Sequence, residues 1–138
     1  MKGPQEDLIS IITGIQQVKG NIHLNIGEPL THDEIQAAST CMKNDRYQAI
    51  RHAVDLRVIE GYKLWKTNYI SYDMVNHSYK YSDLYSPEDV EAFTEYVEKQ
   101  LDKVEKSLCR ADLRDILLRI YGNPVVSREK LMEERKNK

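Results

Sequence analysis

A mainly α fold, of about six helices with one short β-strand near residues 21–26, follows from three features of this 138-residue chain. Apolar residues recur at spacings of three and four over most of the sequence after Pro29, the period of an amphipathic helix. Helix-opening signals stand at Thr31-His-Asp-Glu34 and Ser86-Pro-Glu-Asp89. Against this background, Ile22, Leu24 and Ile26 alternate with Asn21, His23 and Asn25, the period-two pattern of a strand with one buried face. Gly20 and Gly27 bound that strand, and Pro29 stops its ladder because proline has no N–H to donate. A single strand cannot satisfy its own backbone, so it is expected to pair outside the chain or with a second copy.

In order, residues 4–18 read as an amphipathic helix. Pro4 suits its first turn, Glu6 and Asp7 suit the positive end of its dipole, and Leu8, Ile11, Ile12 and Ile15 form one apolar face. The strand follows Gly20. Thr31 and Glu34 form a capping box that opens a helix carrying Ile35, Ala38 and Met42. Tyr47, Ile50, Val54, Val58, Tyr62 and Trp65 continue the period as a long helix over about 46–64. Residues 66–85 read as a short helix with Ile70, Met74 and Val75, which Asn68 caps, followed by a loop. Ser86 as cap, Pro87 at the first position and an acidic first turn start a helix of about five turns striped by Val90, Phe93, Val97, Leu101 and Val104. A further helix spans about 110–121 with Leu113, Ile116, Leu117 and Ile120 inward, and Gly122-Asn-Pro124 reads as its stop. Ser127 caps a last, charged, solvated helix. The chain divides into 1–30, the end of an α/β core, 31–125, a helical extension, and 126–138, a charged tail.

Composition bounds the function. The hydrophobic fraction is 41%, the charged fraction 30% and the formal charge −2. Acidic and basic residues are interspersed, as on solvated helix faces, which gives no reason to expect a nucleic-acid partner. No apolar run approaches the roughly 20 residues that span a bilayer. The opening Met-Lys-Gly-Pro-Gln-Glu-Asp carries acidic residues where a signal peptide has its apolar segment. Cys41 and Cys109 stand far apart, with the pattern of buried free thiols in a reduced compartment. The expected location is cytoplasmic, or peripheral to the inner membrane face. Six of the nine tyrosines fall between Tyr62 and Tyr85. They read as a packing layer at the rim of the core, with a ligand or partner surface as the other reading.

The four histidines, His23, His32, His52 and His77, form no constellation. No H-E-x-x-H, Cys/His cluster, phosphate-binding glycine loop or nucleophile elbow is present. On its own chemistry the chain is not a self-sufficient enzyme, and neither a cofactor nor a metal is expected.

The stretch GIQQVKGNIHLNIGEPLT, ending in the turn Gly27-Glu28-Pro29, resembles the segment after the catalytic core of membrane-associated glycerolipid acyltransferases of the lysophosphatidic acid acyltransferase type. Further on, IEGYKLWKTNYISYD, YSDLYSPEDVEAFTEY and DILLRIYGNPV resemble, in the same order, the helical extension of one bacterial branch of that family. The resemblance covers roughly residues 3–125. It implies a non-catalytic C-terminal region of an enzyme that transfers a fatty acyl group to a glycerol-phosphate hydroxyl. Within it, Gly27 and Pro29 map onto a turn associated with substrate binding; as residues, they equally read as a strand-ending turn. The family's histidine followed after four residues by aspartate is missing, because Glu28, Ala37, Arg57 and Ser82 occupy that offset from the four histidines. The family's Gly-Thr-Arg block is missing too. The implied partner is the catalytic core, which would carry the acyl donor and acceptor sites. The residues by themselves also allow a second reading, a helical interaction or dimerisation module without activity.

Overall fold

The computed structural model describes residues 5–16, 20–104 and 107–136. Six α-helices account for most of them: α1 (Glu6–Gln16), α2 (His32–Ser39), α3 (Lys43–Gly61), α4 (Lys66–Asn76), α5 (Pro87–Leu101) and α6 (Arg110–Lys136), with a 3-10 turn at Ser82–Leu84 between α4 and α5. The mainly α expectation stands. The strand does not: residues 20–31 carry no regular secondary structure and form no ladder among the described residues. The physical reason is that nothing lies beside them to pair with, and none of the backbone N–H groups of residues 21–28 donates to another described residue.

Two of the helix starts follow the sequence closely. Glu34 N–H donates to Thr31 Oγ1 at 3.2 Å, and Glu34 Oε2 accepts from Thr31 N–H at 2.7 Å. Ser86 and Asp89 reciprocate in the same way at α5. Such a box satisfies two first-turn donors that the helix itself cannot. Asn68 caps α4 from inside its first turn, its Oδ1 accepting from Trp65 N–H at 2.7 Å. Pro4 and the end of the first expected helix lie outside the described residues.

The core sits between α4, α5 and α6. Ile70, Phe93, Val97, Leu101 and Leu118 form its buried cluster, with Met74, Val90, Leu113 and Tyr121 packed around it. Val125 and Leu131 are also buried. The expected stop at Gly122-Asn-Pro124 is absent, because α6 runs through it to Lys136. Pro124 removes an intrahelical donor, and groups from outside the helix bind carbonyls around the gap. Asn68 Nδ2 donates to Tyr121 O at 2.8 Å, Ser71 Oγ to Leu118 O at 2.5 Å, and the Tyr62 hydroxyl to Pro124 O at 2.5 Å. Gly122 is buried against the backbone of Tyr72: a Cβ there would lie 3.3 Å from Tyr72 N. The Gly-Asn-Pro sequence is a helix crossing rather than a helix end. The charged segment after Ser127 accordingly belongs to α6, with Glu129 and Arg128 half-buried.

Residues 5–61 are organised differently. Among the described residues of that stretch only Ala38 is buried. Leu8, Ile11, Ile12 and Ile15 of α1 are exposed, and among the described residues α1 packs on no other helix. The helix opened by Thr31 is short: it stops at Ser39, and α3 begins at Lys43 and ends at Gly61. α2 packs on α3, and α3 reaches α6. Arg128 Nη2 donates to Tyr62 O at 2.6 Å, with its guanidinium 5.0 Å from the Tyr62 ring, and Arg135 pairs with Glu60.

Candidate functional site

Gly27 and Pro29 line a cleft of about 510 Å³ between the extended segment and the C-terminal half of α3. Leu30, Val54 and Val58 give it apolar walls; His23, Arg57 and Tyr62 stand at its edges. Period-two alternation persists here without a sheet. His23 Nε2 lies 3.1 Å from Gly61 O, Asn25 packs on Gly61 so tightly that a methyl group there would collide with its carboxamide, and Gly27 approaches Arg57 Cβ. The odd-numbered positions thus face α3. Ile22, Leu24 and Ile26 are 79%, 83% and 88% exposed.

Arg57 ties the cleft together. It donates to both carboxylate oxygens of Glu34, at 3.0 and 2.8 Å, to Ala53 O at 2.8 Å, and reaches Pro29 O at 3.5 Å. Glu34 is therefore both cap and counter-ion. The Thr31 backbone N–H, then Arg57, hold its carboxyl below the usual carboxylate range. With its guanidinium so occupied, Arg57 serves as a clamp on the turn. No nucleophile–base pair meets in this cleft, and His32, His52 and His77 are elsewhere, on α2, on α3 and at the left-handed end of α4. Among the described residues no group of three or more His, Cys, Asp or Glu could hold a metal ion. Cys41 and Cys109 are free and exposed, contrary to the expected burial, because both lie at helix boundaries rather than on a core face.

The tyrosine-rich stretch builds a polar joint that sequence reasoning left unassembled. After α4 the chain reverses at His77, whose φ of 49° is left-handed. Asp73, 3% exposed, collects the returning chain. Its carboxylate accepts from Ser78 Oγ at 2.5 Å, Tyr85 OH at 2.8 Å, Tyr81 N–H at 2.9 Å and Lys80 N–H at 3.1 Å. Glu129, reaching in from α6, accepts from Tyr72 OH at 2.9 Å, from Tyr81 OH at 2.6 Å and from Lys80 Nζ. Burial pushes both carboxyls up, yet these donors outweigh it and hold each below its ordinary value. Burial and the neighbouring carboxylates push the Tyr81 and Tyr85 phenols up to about 12. Such phenols stay protonated and donate; they are poor bases at neutral pH. Tyr62, Tyr72, Tyr81 and Tyr85 form a packing layer with hydrogen-bonded hydroxyls, Tyr69 adds its ring 4.9 Å from that of Tyr81, and Tyr79 is exposed.

A pH dependence follows. Carboxyls depressed in the folded state contribute stability that is complete above their unfolded values near 4 and is lost as pH falls through the folded ones. Urea melts followed by circular dichroism are expected to show a midpoint steady from pH 7 to about pH 5 and falling below it. In Asp73→Asn the fall is expected to be shallower; an unchanged slope would count against this role for Asp73.

A second cavity, of about 690 Å³, opens among Trp65, Ile70, Phe93, Tyr96 and Tyr121, with Lys66 and Asp89 at its rim. Lys66 and Asp89 are paired at 2.7 Å, and the Tyr96 and Tyr121 hydroxyls lie 2.8 Å apart. No helix among the described residues is long and apolar enough to cross a membrane. Compared with family models, with curated proteins and with solved structures, the chain matches none.

Proposed function

We propose that this chain is a non-catalytic helical region of the type that follows the catalytic core in glycerolipid acyltransferases, packing beside an α/β body that carries the chemistry. The observation that carries the reading is the joint between α4 and α6. The two most distinctive segments of the resemblance, Asn68-Tyr-x-x-x-Asp73 and Tyr121-Gly-Asn-Pro124, interlock there through Asn68 to Tyr121 O and Gly122 on Tyr72. Both motifs spend their polar groups on holding helices together, the work of a scaffold. Support also comes from residues 20–31, which carry a strand pattern and form no ladder among the described residues. In this reading Gly27 and Pro29 turn the chain out of the neighbouring body, and the location is cytoplasmic, peripheral to the membrane that supplies the lipid substrate.

The test is the DNA immediately upstream of the Met1 codon. An in-frame histidine, four residues and an aspartate, followed by a Gly-Thr-Arg block, is the expected finding. A stop codon with a ribosome-binding signal directly upstream would overturn the acyltransferase assignment. The second reading, an independent interaction module, would then lead, because the exposed apolar residues of α1 and of positions 22–26 favour it on their own. The purified chain, supplied with acyl donor and lysophosphatidate, is expected to give no turnover above the protein-free blank.

A further inference from the structure

A folded 16.1 kDa chain ordinarily exposes about 7,400 Å², whereas this one exposes 11094 Å². The surplus, about 3,700 Å², exceeds the roughly 1,000–2,500 Å² that each subunit contributes to a stable obligate dimer. Exposed apolar side chains concentrate in residues 8–26, where Leu8, Ile9, Ile11, Ile12, Ile15, Ile22, Leu24 and Ile26 are 43–88% exposed.

We propose that a second copy of this chain covers that surface, the two copies pairing antiparallel through residues 21–27 about a two-fold axis at Leu24. It gives residues 21–27 a different cover from the α/β body proposed above, deepens the interaction-module reading, and does not rest on the acyltransferase assignment. The pattern Ile22-x-Leu24-x-Ile26 reads the same in both directions, as the self-complementary patch of a two-fold interface requires. Centred on Leu24, the register sets Ile22 opposite Ile26, Leu24 opposite Leu24 and His23 opposite Asn25, with no like charges opposed. The segment alternates, with its odd-numbered residues on α3 and its even-numbered ones exposed, and its N–H groups donate to no other described residue. Between Gly20 and Gly27 it has neither Pro nor Lys, the residues that blunt sheet edges. Because α3 occupies the odd-numbered face, the pairing puts both apolar trios on one side of a two-stranded ribbon. A bare ribbon is marginal in water. The α1 helices, which pack on no other helix among the described residues and carry four exposed apolar residues on one face, are the elements at hand to cover it.

The test is sedimentation equilibrium of the full chain at tens of micromolar, with Leu24→Lys beside it. The expected result is a mass twice 16.1 kDa for the wild type. The variant places two ammonium groups on the axis and is expected to weaken dimerisation about 100-fold or more. Leu24 is 83% exposed, so the variant keeps the helical circular dichroism of the wild type. In a Cys41→Ser, Cys109→Ser background, Leu24→Cys is expected to oxidise to a covalent dimer, while Met132→Cys on exposed α6 is not. A monomeric wild type, open-ended association, or a dimer that Leu24→Lys leaves intact and Leu24→Cys fails to cross-link would each overturn the proposal. None of these outcomes depends on what lies upstream of Met1.

Discussion

Asp73→Ala is expected to cost about 3–5 kcal/mol of folding stability, among the larger effects of any single substitution in this chain. The carboxylate is almost wholly buried and receives two hydroxyl and two backbone N–H donors. Truncation deletes four charge-assisted hydrogen bonds, and leaves four donors in a space a methyl group cannot satisfy. A typical net hydrogen bond contributes about 1 kcal/mol, and one to a charged group about 1.5–3. The sum is not additive, since the loop from His77 to Tyr85 can open and let water reach some donors. Tyr85→Phe, which removes one charge-assisted donor and leaves the carboxylate with three, is expected to cost about 1.5–2 kcal/mol, the low end of that range. Urea denaturation of both variants at pH 7 measures the contrast. Equal losses would mean that the loop is held by packing of the Tyr69, Tyr72 and Tyr81 rings, whose centroids approach to 4.9 and 5.4 Å, and that Asp73 is incidental.

The same joint shows what sequence can and cannot display. Thr31 with Glu34, and Ser86-Pro87 with Asp89, were legible because a cap acts on amides two or three residues away. The apolar stripe of α5 was legible for a similar reason: Phe93, Val97 and Leu101 face one core. Asp73 was not, because its partners are assembled only when the chain reverses at His77. Glu129 was less so, since its phenol donors lie 48 and 57 residues away. The strand pattern at Ile22, Leu24 and Ile26 was legible as alternation and survives as alternation. Whether alternation becomes a strand depends on a neighbour, and the described chain supplies α3 on one face and nothing along the edge. Gly27 and Pro29 were picked out as a turn. The structure adds the clamp that holds the turn, Arg57 to Pro29 O, which no local pattern announced.

Gly122 gives the second large expectation, and it bears on why Gly-Asn-Pro misled. A glycine followed by a proline carries the local chemistry of a helix end, but it also suits a close crossing, here one where Asn68 and Ser71 of α4 donate to Tyr121 O and Leu118 O. The two cases differ in how much room surrounds the glycine. At Gly122 an added Cβ would meet Tyr72 N at 3.3 Å, Tyr72 Cα at 3.4 Å and Ser71 C at 3.5 Å, all backbone atoms that cannot swing aside. Gly122→Ala therefore sets about 1 kcal/mol of gained helix propensity against a few tenths of an ångström of displacement between α4 and α6. The two nearly cancel, and a change within about 1 kcal/mol is expected. Gly122→Leu has almost the same propensity as alanine, so the difference between the two variants reports space alone. Its extra carbons must enter the α4–α6 seam and draw Asn68 off Tyr121 O and Ser71 off Leu118 O. A loss of about 3 kcal/mol or more relative to the alanine variant is expected. Chemical denaturation followed by circular dichroism reads this directly. Leucine and alanine variants of equal stability would mean that the seam is loose, and that Pro124, rather than a tight crossing, sets the path of α6.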